Sequence, residues 1–120
     1  MATPYERDEL TDQIIGFAIE LHRYLGPGLL ESAYEECLCY ELNENGMSFK
    51  RQVPLPVVRL DCGYRIDIVV ENRLILELKA TERLLPVHEA QVLTCMRLSG
   101  VRTGLLLNFN TPRASVVSPR

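Results

Sequence analysis

The chain has 120 residues, 47% hydrophobic and 24% charged, the size and composition of one soluble domain with one core and no internal linker. Its formal net charge of −3 argues against a protein whose whole surface embraces nucleic acid, yet leaves room for a local basic groove. No apolar run reaches the length of a membrane span and the polar, acidic start carries no signal-peptide pattern, so a cytoplasmic protein with no membrane partner is expected.

In chain order, Leu10, Ile14, Phe17, Ala18, Leu21 and Leu25 recur at steps of three and four, which predicts an amphipathic helix over 9–25. Gly26-Pro27-Gly28 breaks it, since proline cannot continue the helical ladder, and the two glycines serve a sharp turn. A second helix is expected from about Leu30 to Asn43, with Tyr34, Cys37, Leu38 and Leu42 on one stripe and Asn45-Gly46 as its stop. From Met47 the period changes to two. Phe49, Val53, Leu55 and Val57 alternate with polar residues and prolines, and Pro54 and Pro56 confine this strand to an edge or interrupt it. Tyr64 to Val70 and Leu74 to Ala80 read as two further strands. Pro86 opens a third helix that Gly100 closes, Thr103 to Phe109 is a final apolar strand, and the tail after Asn110 reads as irregular. The expectation is a single α/β (α+β) domain over 1–120: a mixed sheet of about four strands flanked by helices, in the order α-α-β-β-β-α-β. Cys37, Cys39, Cys62 and Cys95 form no Cys-x-x-Cys pair and have poor zinc spacing, so they read as reduced, partly buried thiols.

Register points to a site. Tyr64, Ile66, Ile68 and Val70 form one face of the second strand, and Leu74, Leu76 and Leu78 one face of the third. A two-residue turn between them would put one apolar set in water, whereas a three-residue loop, 71–73, opposes Val70 to Leu74 and buries both. The same register sets Asp67 opposite Glu77, with Cβ atoms roughly 5 Å apart. Lys79, one of only two lysines in the chain, follows on the face of Glu77, which also carries Val69 and Ile75 and is expected to be covered. Two such carboxylates repel, so at least one is expected to titrate above its ordinary value without a cation between them. Hard divalent cations take one or two carboxylates plus water; an ordinary Asp/Glu/Lys cross-strand cluster is the competing reading.

The chain also resembles a known family. Gly28-Leu-Leu-Glu31-Ser-Ala-Tyr34 is similar to the G-x-x-E-x-x-Y signature of a family of small bacterial and archaeal proteins placed in the PD-(D/E)XK nuclease-like superfamily. The resemblance continues through Arg51-Gln-Val-Pro-Leu-Pro56, Tyr64-Arg-Ile-Asp67, Glu77-Leu-Lys79, Leu84-Leu-Pro-Val-His-Glu-Ala-Gln91 and Leu107-Asn-Phe-Asn110. It implies a restriction-endonuclease-like core. Asp67 and Glu77 would be the metal-binding acids, joined by the Leu78 carbonyl, with Mg²⁺ or Mn²⁺ as the ion. Lys79 would be the lysine of the motif, Glu31 a helix-borne acid approaching the same metal, and Gln91 the glutamine of the following helix. Related nucleases carry a tyrosine four residues after that glutamine, where this chain has Cys95.

The implied activity is metal-dependent phosphodiester hydrolysis of nucleic acid, DNA ahead of RNA, with Arg51, Arg65 and Arg83 meeting phosphates; a homodimer is compatible with it. The alternative is a catalytically inactive nuclease-like fold serving as an interaction or regulatory module. Several residues have simpler readings. Tyr34 reads as a core aromatic with its hydroxyl at the rim, His88 as a first-turn helix residue near the site, and Glu31 as a complement to a helix dipole.

Overall fold

The computed structural model describes residues 8–55, 65–110 and the backbone of 113–117. Val57, Cys62 and Tyr64, read above as a strand residue, a thiol and a strand start, lie outside the described residues.

The first helix, α1 (Glu9–Leu25), begins where Asp8 accepts the Thr11 N–H on Oδ1 at 2.8 Å, and that bond holds the Asp8 carboxyl below its usual range. It buries Leu10, Ile14 and Ala18 and stops at Gly26, whose φ of 70° suits glycine. The turn into α2 (Glu31–Glu44) is held from inside by Tyr34. The Tyr34 hydroxyl donates to the Gly26 carbonyl at 2.6 Å and accepts the Leu29 N–H at 3.2 Å, while its ring stacks on Phe109 with centroids 4.6 Å apart. Tyr34 is therefore a core aromatic that staples the interhelical turn to the sheet.

The strands are β1 (Phe49–Pro54), β2 (Arg65–Val70), β3 (Leu74–Lys79), β4 (Gly104–Asn108) and β5 (Arg113–Val117), with α3 (Pro86–Ser99) between β3 and β4. They form one sheet in the order β1-β2-β3-β4-β5. β3 and β4 run parallel through the α3 crossover and every other neighbouring pair is antiparallel. The mixed sheet and the expected element order are present, and Pro54 does lie on an edge strand. One expectation is corrected: the tail is not irregular, because residues 113–117 pair with β4 from Asn108↔Arg113 to Gly104↔Val117.

Two apolar layers enclose the sheet. Helices α1 and α2 cover Ile68, Val70, Leu74, Leu76, Leu78, Leu105 and Leu107; α3 covers Val69, Ile75 and Leu106 with Val92, Cys95 and Met96. A second correction concerns Ile66, which belongs with Leu55 in the α3 layer and not with Ile68. The regular pairing of β2 gives way at Asp67, between those two isoleucines.

The close seat of α3 on β4 depends on Gly104. A Cβ there would stand 2.6 Å from Val92 Cγ1 and 3.0 Å from Met96 Sδ. Gly104→Ala is expected to destabilise the fold by about 1–3 kcal/mol through overpacking. Urea unfolding of parent and variant checks this; an unchanged midpoint would mean that α3 can lift away freely.

Candidate metal centre

The hairpin that carries the acids pairs Val70↔Leu74, Val69↔Ile75 and Ile68↔Leu76, the register that the hydrophobic pattern requires. Its loop takes three residues. Glu71 and Asn72 have φ of 53° and 54°, and the Arg73 N–H closes the turn on the Val70 carbonyl at 3.0 Å. One step beyond Ile68↔Leu76, Asp67 faces Glu77, and there the ladder opens.

Alternation of hydrogen-bonded pairs shows what is lost. Ile75 N–H donates to the Thr103 carbonyl and Phe109 N–H to the Lys79 carbonyl, so odd-numbered β3 groups face β4 and even-numbered ones face β2. A regular ladder would give the Leu78 N–H to the Ile66 carbonyl. Instead it donates to Asp67 Oδ2 at 2.8 Å, while the Asp67 N–H donates to Glu77 Oε1 at 3.3 Å. The strands fork, and each carboxylate takes a backbone N–H that has no ladder partner: Leu78 N–H, freed by the fork, and Asp67 N–H, which points away from β3 toward β1.

The electrostatics follow from burial. Glu77 is only 7% exposed. Its carboxyl is pushed up to about 8, first by desolvation, then by the adjacent Asp67 charge; the Asp67 N–H and the Lys79 ammonium pull the other way. Side-chain hydrogen bonding with the Asp67 carboxyl raises it further. Two adjacent carboxyl groups form a hard-oxygen donor pair that a divalent cation fits, since it would supply the missing positive charge. Among the described residues no third His, Cys, Asp or Glu completes such a cluster.

Lys79, at the end of β3, is half-buried and pairs with Asn108 of β4; among the described residues no ion pair ties it to Asp67 or Glu77. Leu78 is buried in the α1/α2 layer. Cys95 of α3 faces the acids: its thiol is pushed up to about 11, by burial first and then by the charges of Glu77 and Asp67. Gln91, one helical turn before Cys95 and half-buried, lies on the same stripe of α3.

Glu31 opens α2 and is exposed, and no described hydrogen bond or ion pair brings it to the acids. His88 caps α3: its Nδ1 accepts the Leu85 N–H at 3.0 Å, which supports the structural reading over a ligand role. Arg51 is not a free phosphate contact, because Glu35 and Glu36 both hold it, each at 2.7 Å. Arg65 and Arg83 are exposed. Two residues that pattern reading missed belong beside the site: Glu35 on α2 and Gln52 on β1, joined at 2.9 Å. A glutamate one turn beyond Glu31, on the helix stripe next to Tyr34, was the available signal.

In comparison with known proteins, the family model described as the PD-(D/E)XK nuclease superfamily matches residues 8–118. No curated protein and no solved structure gives a significant match.

Proposed function

This chain belongs to the PD-(D/E)XK nuclease superfamily, and from that premise we propose that it is a divalent-metal-dependent phosphodiesterase acting on nucleic acid. The observation that carries the reading is the fork at Asp67 and Glu77, two carboxylates side by side at the broken end of a hairpin, one of them buried, with Lys79 two residues on.

Asp67, Glu77 and the Leu78 carbonyl would hold Mg²⁺ or Mn²⁺. A cation held there supplies a lowered pKa to a water and positive charge to a phosphate oxygen. The backbone N–H groups of Asp67 and Leu78 fix one oxygen of each carboxylate, and the other oxygens would be available to hold a cation. Lys79, on the strand face of Glu77, would offset negative charge growing on the phosphate. Gln91 would orient the attacking water by hydrogen bonding. Glu31 would reach the site only if the substrate or cation draws its exposed side chain inward. DNA is the first substrate to test and RNA the second.

The test has two arms. Mg²⁺ or Mn²⁺ at a hundredfold excess over its Kd is expected to stabilise the parent by about 2.7 kcal/mol and to leave Asp67→Ala unmoved in thermal melts. The parent, and not Asp67→Ala, is expected to cleave at least one of single-stranded, duplex and branched DNA or RNA when metal is added. Neither stabilisation nor cleavage would leave the fold as an inactive interaction module.

A further inference from the structure

β1 holds a defect opposite the carboxylate pair. It pairs with β2 at Phe49↔Val70, Lys50↔Val69 and Arg51↔Ile68, then resumes at Val53↔Ile66 and Pro54↔Arg65 with the same offset, so no residue is inserted. The missing pair is Gln52 with Asp67. The Glu71 N–H donates to the Ser48 carbonyl at 2.8 Å; counting on by twos along both strands makes 52 with 67 a pair that would exchange N–H and C=O. In a regular ladder the Asp67 N–H would end on the Gln52 carbonyl. Gln52 instead has φ of 49°, a left-handed conformation that residues with a Cβ rarely adopt. The freed Asp67 N–H is the one that Glu77 accepts.

The group that holds Gln52 there is Glu35, in the second turn of α2, its side chain 10% exposed. Glu35 Oε1 accepts from Gln52 Nε2 at 2.9 Å, and Oε2 accepts from Arg51 Nε at 3.1 Å and Nη2 at 2.7 Å. A near-buried carboxylate thus binds two consecutive residues of an edge strand at the place where that strand departs from its ladder. Arg51 has a second partner in Glu36, whereas Gln52 has only Glu35 among the described residues.

We infer that Glu35 is a positioning residue for the metal centre: by tying Arg51 and Gln52 to α2 it keeps β1 from claiming the Asp67 N–H and leaves that N–H to orient Glu77. The link to metal binding rests on the function proposed above, while the effect on the ladder does not.

The experiment uses the full chain, ¹⁵N-labelled, with the Asp67 amide followed by NMR without metal and the Mn²⁺ Kd measured by titration. Glu35→Ala is expected to shift the Asp67 amide and raise its protection from exchange, as Gln52 relaxes to extended backbone and closes the pair. It is also expected to weaken Mn²⁺ binding by about 10- to 100-fold, the usual effect of losing a group that orients a ligand. Adding Gln52→Gly should recover affinity by about fivefold, because glycine tolerates the left-handed φ without a tether. Glu36→Gln, which removes only the second partner of Arg51, should leave both readouts unchanged. A folded Glu35→Ala variant with the parent's Asp67 amide and Mn²⁺ affinity would overturn the inference, as would an equal loss in Glu36→Gln. If the parent shows no Mn²⁺ binding that depends on Asp67, the metal reading fails and the amide alone decides the role of Glu35. Should Glu35→Ala not fold, Glu35→Gln takes its place with the same readouts.

Discussion

Glu77→Gln is expected to raise the melting temperature of the metal-free protein at pH 8.5, while leaving it nearly unchanged at pH 4. The Glu77 carboxyl sits at about 8 in the folded protein against an ordinary value of 4.5, chiefly because it is buried and next to Asp67. A group raised on folding binds its proton more tightly in the native state. Its contribution is therefore fully present below pH 4.5 and lost as pH rises through 8. Over that window the parent should lose stability on the order of several kcal/mol from this group alone. Glutamine mimics the protonated side chain: its oxygen can accept the Asp67 N–H and its amide can donate to the Asp67 carboxylate. The variant should melt at least about 5 °C above the parent at pH 8.5 in chelator. Added Mg²⁺ should reverse the order, stabilising the parent and not the variant. Other titrating groups are common to both proteins, so the difference between the two melting curves isolates Glu77. Equal pH profiles would mean that the carboxyl is solvated and free of Asp67.

The approach of Asp67 to Glu77 was legible in the sequence because it follows from burial. Only an even-sum register puts Val70, Ile68, Leu74, Leu76 and Leu78 in one apolar layer, and that register carries the acids with it. Helix limits were legible for the same kind of reason: Gly26, Gly46 and Gly100 take left-handed φ where the apolar stripes end. β5 was not legible. Arg-Ala-Ser-Val-Val between Pro112 and Pro119 has little strand character of its own, and what makes it a strand is the exposed backbone edge of β4. Nor was the opened ladder. A glutamine carries no propensity for positive φ, so the defect at Gln52 is imposed by Glu35 from another element, where no local pattern could reveal it. The displacement of Ile66 to the α3 layer belongs with the same break.

Lys79→Ala is expected to bind metal at least as well as the parent and to cleave nucleic acid at least ~100-fold more slowly, the scale on which removal of one electrostatic stabiliser registers. The competing role for Lys79 is a bridge that neutralises Asp67 and Glu77. The geometry speaks against a bridge: among the described residues no ion pair joins Lys79 to either acid, and each carboxylate accepts a backbone N–H. The position of Lys79 is nevertheless fixed. Its carbonyl accepts the Phe109 N–H at 2.8 Å, and the Asn108 side chain clamps Thr81 by accepting its N–H at 3.1 Å and donating to its carbonyl at 3.0 Å. A half-buried ammonium on a clamped strand end, uncommitted to the acids beside it, is placed to meet a negative charge that arrives with substrate. Its main effect on Glu77 is a minor lowering of the carboxyl, so its loss should cost little metal-free stability. Lys79→Arg should not restore cleavage, since a guanidinium is larger and planar and spreads its charge. The measurements are single-turnover cleavage at saturating Mg²⁺ and a thermal melt without metal. A Lys79→Ala variant that cleaves at the parent's rate, or that unfolds without metal and recovers when Mg²⁺ is added, would make Lys79 the structural bridge after all.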